Sequence, residues 1–414
     1  MGKGPDAQTE RGSELARDAE PARGSETAPD DVLELAPRRR RVPGWLLVVA
    51  ALVVLGGLAR LEQGKSPTTD ATPSPSPTTP SVVQSSPAST PYSPAPSPVR
   101  PEVVELGHPL LGATGDWELF ARGSDELVRI QPATGRITRT PVPALNSSGA
   151  VSLLVGPDRV VVRPWDFVSG YVVRDGMPAR TLPARPGQNG AVYPGPDSSH
   201  MWAQSAQDGR VLSLVGLDGA RAGAAIALPA AVPWLLASDG TGYLVARGVG
   251  GDYVARPDGL RRITTGSVVA IGPTRWLVVE CDDRAQCATS VVDRATGSRR
   301  RLNGSALPDT GAPPGIIAPD GSQAAVVRSS DGDGPNRWTM HLIDLGSGSD
   351  RTVAVFDFSS GFDATMAWSP DSRWLFTVSD GRLVAVDART RQVRSLEGVL
   401  VPPVEQLAVR TTGR

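Results

Sequence analysis

Two cysteines, Cys281 and Cys287, have the best-defined chemical options in this chain. The gap between them is wider than the C-x₂₋₄-C spacing of a zinc site, and no second pair exists. Val278-Val279 lead into the first cysteine and Val291-Val292 follow the second. Two strands joined by a short loop would set both sulfurs at its mouth, within bridging reach, so a disulfide is expected. Histidines are few. His108, His200 and His341 are scattered and unaccompanied in the sequence, which suits surface or structural roles.

Carboxylates could do more. Asp309, Asp331, Asp333, Asp357 and Asp363 form the pool from which a hydrolase could draw a pair. Glycoside hydrolysis needs two such groups at a set separation, about 5 Å or about 6.5–9.5 Å. The run Ser329–Trp338, SSDGDGPNRW, holds two of them. A sialidase-type Asp box wants glycine two residues after its Asp, where Asp331 is followed by Asp333. A calcium loop wants oxygen ligands at alternate positions, and Pro335 breaks that series. The run therefore reads as an acidic hairpin loop. G-x-S-x-G, H-E-x-x-H and the P-loop are all absent. No metal or cofactor is expected.

The elements that must carry these residues follow from a repeat. Gly135, Gly176, Gly219, Gly259, Gly297 and Gly348 close one class of turn, with a degenerate copy at Thr390-Arg391, at a mean spacing of about 43 residues. A second class lies half a period away: Gly156-Pro157-Asp158, Gly195-Pro196-Asp197, Ser238-Asp239-Gly240, Gly272-Pro273, Ala318-Pro319-Asp320-Gly321 and Ser369-Pro370-Asp371. Proline presets φ, Asp bonds nearby amides and Gly takes positive φ, so both classes suit hairpins. Between them run short apolar stretches such as Val160-Val161-Val162, Leu277-Val278-Val279 and Ala324-Ala325-Val326-Val327. Strands apolar on successive positions are covered on both faces. A period of this length holding four short strands is a propeller blade. The fold class is all-β, a seven-bladed β-propeller.

The unit Met366-Ala367-Trp368-Ser369-Pro370-Asp371-Ser372-Arg373-Trp374-Leu375-Phe376 resembles the TolB-type, WD40-like propeller repeat. That family pattern is an aromatic, then Ser-Pro-Asp-Gly, then a hydrophobic strand; here Ser372 stands for the glycine. The resemblance implies architecture and a platform for interactions. It carries over no catalytic or binding residue.

Ahead of the propeller lie three other materials. Residues 1–41 are polar and read as a disordered cytoplasmic tail. Residues 42–61 read as a transmembrane helix: Val42 to Ala59 carry no charge and span about 27 Å as a helix, near the ~30 Å of a bilayer core. Arg38 to Arg41 precede it while only Arg60 and Lys65 follow closely, so the N-terminus stays inside. The long charged leader argues against a cleaved signal peptide. Residues 62–102 are a linker; within 66–101 there are 11 Pro, 9 Ser and 6 Thr. Such a chain favours extended polyproline II and reads as a stalk. Residues 103–414 are the propeller, expected outside the cytoplasm. The formal net charge is -1, so nucleic acid is not an implied partner.

Strand alternation sends the longer connections of the fifth, sixth and seventh blades to one face. They offer Trp338, Phe356, Phe358 and Phe362 as apolar anchors, with Arg337, Asp331 and Asp333 around them. Aromatic and Arg residues dominate binding hot spots. The expected partners are the bilayer, through residues 42–61, and a protein or envelope glycan at this face. The expected role is non-enzymatic recognition or scaffolding. The alternative is a hydrolase or lyase acting on an envelope glycan or peptide.

Overall fold

A computed structural model describes residues 99–145, 150–165, 169–182, 190–205, 207–232, 234–303, 307, 315–329, 337–357, 365–379, 382–396, 398–401 and 403–412. The span 42–61 lies outside these. Among the described residues no helix is long and apolar enough to cross a membrane.

The described strands form six hydrogen-bonded sheets. Four are plain four-stranded meanders, over residues 151–182, 192–227, 234–264 and 366–395. An eight-stranded sheet consists of two such meanders, 267–301 and 315–357, joined through the parallel pairs Ala270↔Gly315 and Ile271↔Ile316. The remaining sheet runs Glu102–Glu105, Arg136–Pro141, Glu126–Gln131, Trp117–Arg122 and Gln406–Thr411, in that order. The first strands pack on one another in sequence. Val151–Val155 meets Gln406–Thr411, Val192–Pro194 meets Val151–Val155, and Trp234–Ser238 meets Val192–Pro194. Ser267–Ile271 meets the sheet before it, and Gly315–Ile317 and Met366–Trp368 lead back to Gln406–Thr411. Sheets stacked radially around their first strands make a β-propeller.

The unalternating apolar runs now have a cause. In Gln323–Ser329, Ala324 and Val326 pack with Leu277 and Val291 of the preceding meander. Ala325 and Val327 pack with Leu375 and Val386 of the following one. Side chains alternate between two neighbours, both dry, so every position must be apolar. Burying each Val or Leu side chain in this way contributes about 1.5–3 kcal/mol, and each Ala about 0.8.

Turn geometry explains the repeat. At the third-to-fourth-strand turns Gly135, Gly176, Gly297 and Gly348 have φ between 70° and 78°. The degenerate copy keeps the conformation without the residue: Arg391 has φ 62°. Ser372 likewise adopts φ 59° where the family pattern has glycine, and its Oγ accepts from the Asp320 amide at 3.0 Å. Asp293, Asp344 and Asp387 end the preceding third strands and accept two following amides each, as in Asp344 Oδ1 with Gly346 N and Ser347 N. Those amides hold the Asp344 and Asp293 carboxyls below their ordinary range.

The ring is closed by the last strand. Gln406–Thr411 pairs antiparallel with Trp117–Arg122, from Trp117↔Thr411 to Arg122↔Gln406. It thereby supplies the inner edge of the N-terminal sheet. Charges fasten it. Arg410, almost fully buried, forms ion pairs with Glu118 and, at 2.8 Å, with Asp175 of the next sheet, and donates to the Gly156 carbonyl at 3.0 Å. Arg122 donates to Gln406 Oε1 at 2.6 Å, and Gln406 Nε2 donates to the Val151 carbonyl at 2.5 Å. A similar clasp joins the fourth and fifth repeats, where Arg294 pairs with buried Asp239 and donates to the Gly272 carbonyl at 2.9 Å.

Candidate functional site

The two ends of the barrel differ. Connections from first to second and from third to fourth strands share one end, since successive strands reverse direction. None of these exceeds five residues: 132–135, 195–199, 272–274, 318–322 and 345–349 are representative. One long connection, 106–116, also lies at this end, where Leu106 N and Leu110 N donate to the Gly135 and Pro132 carbonyls at 3.1 Å and 2.8 Å. The remaining longer connections emerge at the other end. There lie 142–150, 183–191, 302–314, 330–336, 358–365 and 396–405. Strand Glu102–Glu105 also begins at this end, because Glu102 pairs with Arg139 and Glu105 with Arg136.

The anchors expected from sequence fall unevenly on this end. Asp331, Asp333, Phe358 and Phe362 lie outside the described residues, as do Asp309 and Asp363. Arg337 begins the strand Arg337–Asp344 and pairs in backbone register with Asp357; Trp338 pairs with Phe356. Phe356 was expected on a long connection, but the strand Asp350–Asp357 continues through it. The sequence Thr352-Val353-Ala354-Val355-Phe356 is rich in strand formers, so pairing extends past the expected boundary. Trp338 is half-buried and packs against the cluster of Met340, Leu342 and Leu375. Part of its surface thus belongs to the seam between repeats.

Cys281 and Cys287 are disulfide-bonded and directly opposite in register, with Cα atoms 3.9 Å apart. The hairpin between them is set by Asp282, whose Oδ1 accepts from the amides of Arg284 and Gln286. A loop this short gives limited entropic gain, about 2 kcal/mol. Replacing both cysteines with serine is expected to lower the unfolding free energy by about that amount in chemical denaturation. A loss above about 4 kcal/mol would show a larger structural role.

Histidine chemistry is richer than the sequence suggested. His341, expected to stand alone, has Nδ1 2.9 Å from Asp350 Oδ1 and Nε2 3.0 Å from Thr339 Oγ1. Arg328 donates to the other Asp350 oxygen at 2.8 Å. Asp350 and Arg328 sit on the two neighbouring strands, a relation that residue spacing hides. His200 has Nδ1 2.7 Å from Asp197 Oδ1 and 3.0 Å from Ser199 Oγ. One nitrogen thus faces both hydroxyl and carboxylate. A nucleophilic triad needs opposite ring nitrogens for the two, so this cluster is a turn cap. Ser199 and His200 hold the Asp197 carboxyl down at about 2.

Two aromatic residues escaped sequence reasoning. Trp165 and Trp234 are 38% and 64% exposed, both at the long-loop end. Each directly follows a proline, Pro164 and Pro233, at a strand boundary. That adjacency was a legible sign of a fixed tryptophan outside the core.

No protein-family model matches the chain, and no curated protein matches it. Solved structures do resemble it. A protein from Lactobacillus plantarum matches with 14% identity and a TM-score of 0.46, over 71% of this chain and 99% of that one. An oligogalacturonate lyase in complex with manganese matches with 14% identity and a TM-score of 0.42, over 68% and 87%. Hsv2 from Kluyveromyces lactis matches with 15% identity and a TM-score of 0.38, over 61% and 81%. At such identities the likeness concerns the fold alone.

Proposed function

We propose that this chain is a single-pass membrane protein whose propeller stands outside the cytoplasm as a non-enzymatic recognition or scaffold platform. Its partner would be an envelope glycan or protein. The eight-stranded sheet counts as two blades, giving seven blades of the TolB-like type. Residues 42–61 anchor it, the tail 1–41 stays inside, and the linker 62–102 holds the blades off the bilayer. One observation carries the platform reading: the links between repeats and the hairpins between second and third strands, which include the long stretches 302–314, 330–336 and 358–365, share one end, while the hairpin turns at the other end do not exceed five residues. Binding residues concentrate in such loops on a rigid scaffold.

Protease added to intact cells is expected to release the propeller by cutting within 62–102. A propeller that survives until lysis means the orientation is wrong. For the surface itself, Arg337→Ala combined with Phe358→Ala in the full chain is expected to strip partners from a pull-down while circular dichroism stays unchanged. An unaltered partner set from the folded double variant removes these loops from consideration. The order Thr339 hydroxyl, His341 imidazole, Asp350 carboxylate favours a second reading, a hydrolase of an envelope glycan or peptide. That chain would let Nε2 take the hydroxyl proton while Asp350 holds the ring.

A further inference from the structure

Large apolar side chains exposed on a rigid framework signal a binding surface. Among the exposed large apolar residues of the propeller body, three lie at the long-loop end of the second and fourth repeats. Trp165 follows the strand Arg159–Pro164; Trp234 opens the strand Trp234–Ser238; Val249, 81% exposed, sits in the connection beside it. None of the three is loose. The Trp165 amide bonds the Ala150 carbonyl at 2.8 Å, and its indole Nε1 donates to Ser152 Oγ at 2.8 Å. Its ring lies 6.1 Å from that of Tyr193. Trp234 pairs in the sheet with Arg247, and the Val249 amide bonds the Ala231 carbonyl at 2.8 Å. Ser152, Tyr193 and Trp234 all lie on first strands, so these aromatics border the axial mouth.

The repeat between the two tryptophans contributes polar groups at the same end. Its connection 205–210 carries Asp208 and Arg210, whose side chains are more than half exposed. Indole faces fixed at their edges, with a carboxylate and a guanidinium set on the intervening repeat, match an amphipathic ligand. A pyranose ring has that character. Its equatorial hydroxyls point outward to hydrogen-bonding groups, and its axial C–H bonds form an apolar face that lies flat on an aromatic ring. Charged donors and acceptors make the stronger hydrogen bonds to such hydroxyls.

We infer that Trp165 and Trp234, with Asp208 and Arg210 between them, bind a flat, equatorially linked oligosaccharide at the mouth of the propeller. This rests on the platform reading and names its partner class. Its residues belong to the second to fourth repeats and include none of 302–365. Binding requires no proton transfer or bond cleavage.

The test titrates the full chain, in detergent, with chitotetraose and cellotetraose, followed by isothermal calorimetry. Saturable binding of at least one sugar is expected. Trp234→Ala should weaken it by about tenfold or more, equivalent to about 1.4 kcal/mol, and Trp234→Phe by less. Trp165→Ala should act in the same direction. Circular dichroism should be unchanged, since Trp234 is an exposed side chain. Absence of saturable binding to either sugar overturns the inference. So does binding that neither tryptophan substitution alters. A pull-down from intact cells separates the two levels: protein partners recovered without sugar binding leave the platform reading standing and remove the glycan. Failure of both assays removes both.

Discussion

Deleting residues 399–414 is expected to unfold the whole propeller rather than fray one sheet. The deletion removes the inner strand Gln406–Thr411 and leaves Trp117–Arg122 as an open edge. It also takes out Val404 and Leu407, both buried in the cluster around Leu119 and Phe376. Each such aliphatic loss costs about 2–5 kcal/mol. Glu118 and Arg122, 1% and 4% exposed, would lose Arg410 and Gln406. An uncompensated buried charge adds about 3–5 kcal/mol. The combined cost is comparable to the entire stability of a domain, about 5–15 kcal/mol. Thermal melting of the intact and shortened chains provides the check. An unchanged melting temperature would mean that the ring does not depend on this strand.

Glu118→Ala is expected to cost about 3–5 kcal/mol on its own. Its carboxylate pairs with Arg410 and Arg129 and accepts from Gln131 Nε2 at 2.8 Å. Without it, both guanidiniums depend on Asp175, at 2.8 Å and 3.3 Å. The paired change Glu118→Leu with Arg410→Met should cost less than either single one, because no charge is stranded. Acidity gives an independent signature. Burial alone would raise the Glu118 pKa, but hydrogen bonds from Arg129, Gln131 and Arg410 more than offset it, leaving the group below its ordinary 4.5. A folded value below the unfolded one stabilises fully above about pH 4.5, and that contribution is lost as pH falls through the folded value. The wild-type denaturation midpoint should therefore fall more steeply below pH 4.5 than that of Glu118→Gln. Parallel acid profiles would remove Glu118 from the acid response.

Most of the fold was legible because turn chemistry repeats more faithfully than strand sequence. The glycines from Gly135 to Gly348 and the Pro-Asp turns mark the blade period even where strands share no pattern. Arg391 and Ser372 show the limit: the left-handed conformation persists where the residue that favours it has gone. Strand ends were less legible. Phe356 reads as part of the connection to the next repeat, yet backbone pairing with Trp338 carries the strand onward. The site was legible only as far as sequence-local cues reach. Strand alternation assigns the long loops to one end. The His341–Asp350 and Glu118–Arg410 pairs are invisible, since each joins residues brought together by registers that no local pattern encodes. Charges at inward positions, such as Glu118 in Trp117–Arg122, were the available hint that partners must exist.

The closing strand also decides how the chain can go wrong while folding. Glu118 and Arg410 are 292 residues apart, so the N-terminal sheet is synthesised long before its inner edge can be covered. Contacts this distant form slowly, and an uncovered edge invites foreign strands. The edge is selective, however. An intruding strand leaves Glu118 with only Arg129 and Gln131, and Arg122 without its Gln406 partner, unless it brings an arginine and an amide in the same register. The same strand of a second molecule meets that condition. Crowded or interrupted folding should therefore produce strand-swapped oligomers of native-like propellers, which dissociate on refolding at low concentration, in preference to amorphous aggregate.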